Sequence, residues 1–157
     1  MNRLRFQSTE KEFRNILKNN SVPIKYDLQN DNDYKDSQKN HISYYDRIYG
    51  RYLDELVPNR SAKILEIGCA EDLFLGYLKY KGYTNYLGID LSENKIEIAK
   101  KYHLNKVKVS DAFTLLSELD EYYNLIVLNF VLEHINKEKM HKFIRQIYSS
   151  IIPGGGG

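Results

Sequence analysis

The sequence predicts an α/β fold built on a mostly parallel sheet, and three observations predict it. Short apolar runs at Lys63–Ile67, Tyr86–Asp90, Val107–Val109 and Leu125–Leu128 are separated by stretches of helical spacing. Strands joined through helices of that length close right-handed βαβ units, which require parallel pairing. The first run leads into Gly-Cys-Ala and the second ends in Gly-Ile-Asp. A glycine turn and a carboxylate at the carboxyl ends of adjacent strands are what such sheets use to hold ligands.

The elements follow in chain order. Thr9 with Glu12 makes a capping box, so a short helix is expected from about Glu10 to Lys18. The polar stretch Asn20–Asn40, with Pro23 and many Asn and Asp residues, reads as a loop or a mobile lid. Ile42, Tyr45, Ile48, Tyr52, Leu53 and Leu56 recur at helical spacing, and Pro58 ends that helix. After the first strand a helix over about Leu73–Lys81 stops at Gly82, a plausible C′ residue. Ser92 is placed to cap a helix over Glu93–Tyr102. A short helix near Phe113–Leu119 precedes the fourth strand, whose unbroken apolar run fits burial on both faces. The last helix, Lys137–Ile151, sets Met140, Phe143, Ile144, Ile147 and Ile151 on one side before Pro153 and four glycines. This organises the chain as an N-terminal helix and flexible lid over 1–41 and one α/β domain over 42–157.

Composition narrows the function classes. A chain of 157 residues with 42% hydrophobic and 28% charged residues can bury one real core. A formal charge of +2 gives no strong pull toward nucleic acid or an anionic membrane. The basic residues near the start (Arg3, Arg5, Lys11, Arg14, Lys18) are interrupted by Glu10 and Glu12 and read as a solvated helix face. No apolar run is long enough to span a bilayer or to form a signal-peptide core, so the cytoplasm is the expected compartment. The single cysteine, Cys69, excludes an internal disulfide framework and a cysteine metal cage. His41, His103 and His141 lack metal-ligand spacing, and no metal is expected.

The residues around the turn select among nucleotide-like ligands. Asp90, ending the second strand, suits the two hydroxyls of a ribose. Glu66 just before the turn, and the lack of a full Gly-x-Gly-x-x-Gly, point away from NAD and toward S-adenosylmethionine (SAM).

From about Ile42 to Gly156 the chain resembles class I SAM-dependent methyltransferases of the small-molecule or glycan type. The matching pieces are Leu-Glu-Ile-Gly-Cys-Ala-Glu-Asp at 65–72, Leu-Gly-Ile-Asp-Leu-Ser at 87–92 and Val-Ser-Asp-Ala at 109–112. Tyr-Asn-Leu-Ile-Val-Leu-Asn at 123–129, Val-Leu-Glu-His-Ile at 131–135 and Ile-Ile-Pro-Gly-Gly at 151–155 complete the series. Six pieces in the right order make the resemblance specific. It implies a Rossmann-like three-layer sandwich with strand order 3-2-1-4, the N-terminal helices serving as a lid. It further implies that Glu66 and Gly68 lie beside the methionine half of SAM, with Cys69 and Ala70 completing the turn. By the same resemblance Asp90 would bind the ribose, Leu91 pack on adenine, Asp111 accept from the adenine amine and Ala112 offer its N–H to the ring. Asn129 would face the sulfonium and the substrate. Two rival readings stay open, in which Asp90 with Ser92, and Asp111, each simply cap a helix. Cys69 is read as a small apolar turn residue whose thiol has no chemical role.

Two positions depart from the family pattern Gly-x-Gly-x-Gly, in which Ala70 and Asp72 replace the second and third glycines. Alanine fits if φ is negative there. Asp72 sets a carboxylate near that of SAM, weakening binding, unless it caps the helix or pairs with the ammonium. The family sheet has seven strands, so the chain reads as truncated before strand five, leaving strand four as an apolar edge. The glycine run suggests a G-rich tract open to polymerase slippage, and hence an inactivated version of a glycan methyltransferase.

The expected reaction is O-methylation of a small molecule or a surface-glycan sugar, in which the protein aligns the acceptor and excludes water. His134 is the candidate base, against a reading in which it only orders its loop with Glu133. Tyr44, Tyr45, Arg47, Tyr49 and Arg51 either line the substrate side or simply pack. Two alternatives are a non-catalytic SAM-binding or interaction module and an NAD- or nucleotide-sugar-dependent enzyme. The latter requires a glycine at position 70 or 73 and a Tyr-x-x-x-Lys or similar catalytic set, and neither is expected here.

Overall fold

The computed structural model describes residues 39, 41–71, 73–101 and 105–151, all within the compact unit Gln38–Gly157. The expected helix over 10–18, Asp72, His103 and the glycine run lie outside the described residues, as does the expected loop over 20–40 except Lys39, which is helical.

A helical turn at 41–45 runs into a π-helix, Asp46–Gly50, and then α1 (Arg51–Leu56). There follow β1 (Ile64–Ile67), α2 (Leu73–Tyr80), β2 (Tyr86–Asp90), α3 (Glu93–Lys101) and β3 (Val107–Val109). The chain continues through α4 (Ala112–Glu118), β4 (Leu125–Leu128), a 3-10 turn at Leu132–His134 and α5 (Lys137–Ser149). The four strands pair in the order β3-β2-β1-β4, every pair parallel. This is the Rossmann-like arrangement that alternating strands and helices predict.

Strand alternation divides the apolar residues between two faces. Ile64, Tyr86 and Val107 join Leu53, Phe74, Leu75, Tyr77, Leu78 and Ile96 in a core against α1, α2 and α3. Leu65, Ile67 and Ile89 join Leu115, Leu116 and Phe143 against α4 and α5. The sheet is therefore the middle of three layers.

The helix ends follow local chemistry. Past α2, the Gly82 N–H bonds to the Lys79 carbonyl and the Tyr83 N–H to the Leu78 carbonyl, each at 3.0 Å. That is a Schellman closure with glycine, at φ +85, in the C′ place. Ser92 Oγ accepts from the Lys95 N–H at 3.4 Å, as a cap of α3 should.

Three expectations need correction. The helix through Ile42–Leu56 is not regular but contains the π-turn, which gathers Tyr45, Tyr49 and Phe74 into ring contacts of 5.4 to 5.8 Å. β4 is half-buried along its length, because within the described sheet it pairs only with β1. Ile144 does not join the buried side of α5 but stands 46% exposed, while Phe143 beside it is fully buried.

Candidate functional site

The strands' two-residue period collects the site. Glu66 shares its face with Ile64, and Gly88 and Asp90 share theirs with Tyr86. Leu125 and Val127 of β4 pack on that same core, and the alternation continues to Asn129. These side chains meet at the carboxyl ends of the strands, on the α1–α2 side of the sheet.

Backbone geometry around the first turn is demanding. The N–H groups of Gly68 and Cys69 both bond to the Ile89 carbonyl, at 2.8 and 3.0 Å, clipping the turn to the end of β2. Gly68 has φ +78, and a Cβ there would lie 2.5 Å from Val131 Cγ2 and 2.7 Å from the Asn129 carbonyl. Gly88 allows the complementary approach, since a Cβ on it would lie 2.4 Å from Leu75 Cδ1 and 2.9 Å from Cys69 Sγ. Cys69 is accordingly buried as a small packing residue. Ala70 departs from the condition set for it: its φ is +49, not negative. The left-handed conformation is held by its N–H, which bonds to Asp90 Oδ2 at 3.0 Å.

Asp90 therefore ties two turns together, because its Oδ1 also accepts from the Ser92 N–H at 2.9 Å. The turn-capping reading describes these contacts, yet it does not saturate the group. A carboxylate has about four lone-pair sites, and these two bonds use two of them. Leu91, the next residue, is 73% exposed. Ser110 bonds through its N–H to the Asp90 carbonyl at 3.0 Å, which brings the start of α4 toward this edge. Asp111 is the N-cap of α4, its Oδ2 accepting from the Thr114 N–H at 2.8 Å and from the Thr114 hydroxyl at 3.0 Å. Ala112 begins the helix, half-buried.

On the other side of the turn, Glu66 is 2% exposed and accepts a bond from Asn129 Nδ2 at 2.5 Å. The contact joins the ends of β1 and β4. Tyr49 belongs to this corner too: burial raises its phenol above the usual range, and the Tyr44 phenol and the Glu66 carboxylate add to the shift. Tyr44 and Tyr49 are half-buried, whereas Arg47 and Arg51 are exposed. Arg51 instead pairs with Glu55. His134 lies in the exposed 3-10 turn, its N–H bonded to the Val131 carbonyl at 3.0 Å. Val131, whose carbonyl accepts that bond, lies against Gly68.

One residue here escaped the sequence reading. Phe130, between Asn129 and Val131, is left-handed at φ +52 and 76% exposed. The available signal was an aromatic directly after an apolar strand, at its ligand-bearing end.

The remaining titratable groups do other work. Among the described residues no group of three or more His, Cys, Asp and Glu could hold a metal ion. His41 is buried against Tyr45, and His141 is exposed on α5. The expectation that no Tyr-x-x-x-Lys set is present needs correction, since that spacing occurs at Tyr77 and Lys81. Tyr77 donates to Asp46 Oδ1 at 2.9 Å and Lys81 to Asp54 Oδ2 at 3.0 Å. These contacts brace α2 against the π-helix and α1, away from the strand ends.

Residues 34–156 match the model of the methyltransferase domain family. The chain belongs to that family. Carboxy-S-adenosyl-L-methionine synthase of Trichodesmium erythraeum is 29% identical over 100 residues, which is 59% of this chain and 39% of that protein. A SAM-dependent methyltransferase from Archaeoglobus fulgidus superposes with TM-score 0.59 at 24% identity, over 75% of this chain and 52% of its own, a likeness that shows the fold. PKMT2 of Rickettsia typhi, solved with AdoHcy, superposes with TM-score 0.55 at 26% identity, over 68% of this chain and 23% of its own. This methyltransferase domain spans 42% and 39% of the length of the two curated relatives it matches. No helix among its described residues is long and apolar enough to cross a membrane.

Proposed function

We propose that this methyltransferase domain binds SAM and directs its methyl group to a hydroxyl of a small molecule or a surface-glycan sugar. Residues 1–41 form a lid in this reading and 42–157 the domain, and the cytoplasm is the compartment that goes with it.

The observation that carries the reading is Asp90. Its carboxylate stands at the end of β2, spends one bond from each oxygen on the Ala70 and Ser92 N–H groups, and keeps capacity for a ribose diol. The left-handed turn at Gly68 and the exposed Leu91 beside it fit the same ligand. When bound, SAM supplies an electrophilic methyl on a sulfonium that leaves without acid assistance.

The chain's residues then have these roles. Glu66 and the Gly68–Cys69–Ala70 backbone hold the methionine half, and Asp90 holds the ribose. Leu91 covers one adenine face, Asp111 accepts from the exocyclic amine and the Ala112 N–H meets the ring. Asn129, oriented by Glu66, faces the sulfonium and the acceptor, and His134 takes the acceptor's hydroxyl proton.

Calorimetric titration with S-adenosylhomocysteine tests the cofactor half. The wild type should bind saturably, and Asp90→Ala, shown folded by circular dichroism, should not. Binding that survives in the variant would sink the assignment. Label transfer from methyl-labelled SAM to a panel of alcohols and sugars, lost in His134→Gln with binding intact, tests the acceptor half.

A further inference from the structure

Phe130 combines two unfavourable features. A bulky residue in the left-handed region is rare and strained, and its large apolar ring remains mostly in water. The strain has an identifiable origin, because the residues on either side are anchored. Asn129 is fixed through its N–H to the Ile67 carbonyl at 3.3 Å and through its side chain to Glu66. Val131 is fixed by packing on Gly68 and into the α4–α5 core. The single residue between them absorbs the reversal. Glycine or asparagine would take that conformation at lower cost, and neither would leave an aromatic ring exposed. Strain held in place by its surroundings, at the carboxyl end of a parallel sheet, is the pattern of a functional position.

A phenyl ring can neither donate nor accept a proton, but its face attracts a cation. Resting on the SAM reading above, we propose that Phe130 supplies a π face to the positively charged sulfonium, so that the domain discriminates the charged donor from its neutral product. Phe130 stands between Asn129 and Val131, both of which lie against the Gly68 turn, where that reading puts the methionine half. Preference for the charged form retains SAM before transfer and releases S-adenosylhomocysteine after it. This is a binding role, separate from proton removal.

The test compares three ligands by calorimetry: SAM, sinefungin (in which a carbon bearing an ammonium replaces the methyl-sulfonium) and S-adenosylhomocysteine, whose thioether is neutral. Wild type should favour the two cations over the neutral ligand by roughly three- to tenfold more than Phe130→Leu does. Phe130→Tyr should retain the preference. Phe130→Gly should lose it while melting at a higher temperature, which separates loss of the ring from loss of the fold. Intact binding with the same preference in wild type, Leu and Gly variants would overturn the role of Phe130 alone. Failure of the folded wild type to bind any of the three would instead overturn the SAM reading, and this inference with it.

Discussion

At Gly68 two independent constraints act on one hydrogen atom. The backbone is left-handed, and Val131 and the Asn129 carbonyl occupy the space of a side chain. Gly68→Ala should therefore cost roughly 2–4 kcal/mol in urea unfolding, combining strain with overpacking. A cost under half a kcal/mol would mean that the 129–131 loop can retreat. Ala70 presents the opposite case. It sits at φ +49 with open demand only on its N–H, so Ala70→Gly should stabilise by about 0.5–1 kcal/mol. Gly68 was legible in the sequence because a lone glycine between a buried strand and a helix has few other reasons to be there. The strain at Ala70 and Phe130 was not. Nothing in either residue type announces φ > 0, and both values come from hydrogen bonds and packing made by distant residues.

Among the elements, the π-helix and α1 are held to α2 by charge as well as by rings. Asp54 accepts from Arg60 at 2.5 Å and Lys81 at 3.0 Å, and these bonds hold its carboxyl below the usual range. A depressed carboxyl stabilises the fold above its unfolded pKa of roughly 3.9, and the contribution is lost as pH falls through the lower folded value. The side chain is 46% exposed, so screening limits the effect. Asp54→Asn should cost about 0.5–1 kcal/mol near pH 7, and the difference from wild type should close as pH falls below about 4. A pH-independent difference in thermal unfolding would show that packing, not charge, is lost. The strands at Tyr86–Asp90, Val107–Val109 and Leu125–Leu128 were legible residue for residue, and the helices to within a turn, because apolar period and cap chemistry are local signals. The π-turn was not legible. Its extra residue per turn is compatible with the same apolar spacing, and it goes with tertiary contacts: the rings of Tyr45 and Tyr49 on Phe74 and the bond from Tyr77 to Asp46.

Across the whole molecule, β1 and β2 both have neighbours on either side, but among the described strands β1 alone has every residue buried. Native-state hydrogen exchange should find its amides the slowest, protected to the global unfolding energy, with β3 amides exchanging several times faster through local opening. Equal protection of β1 and β3 would show that the described sheet opens only as one unit. The fold class, the strands and the residues that end them follow from the sequence, since hydrophobic period and turn chemistry act over a few neighbours. Even the sharing of one face by Glu66, Gly88 and Asp90 follows from the two-residue period once the strands are located. The meeting of Asn129 with Glu66, the closure of Ala70 onto Asp90 and the left-handed Phe130 were decided only by tertiary structure. Each depends on how strands far apart in the chain align, and no local stretch of sequence carries that register.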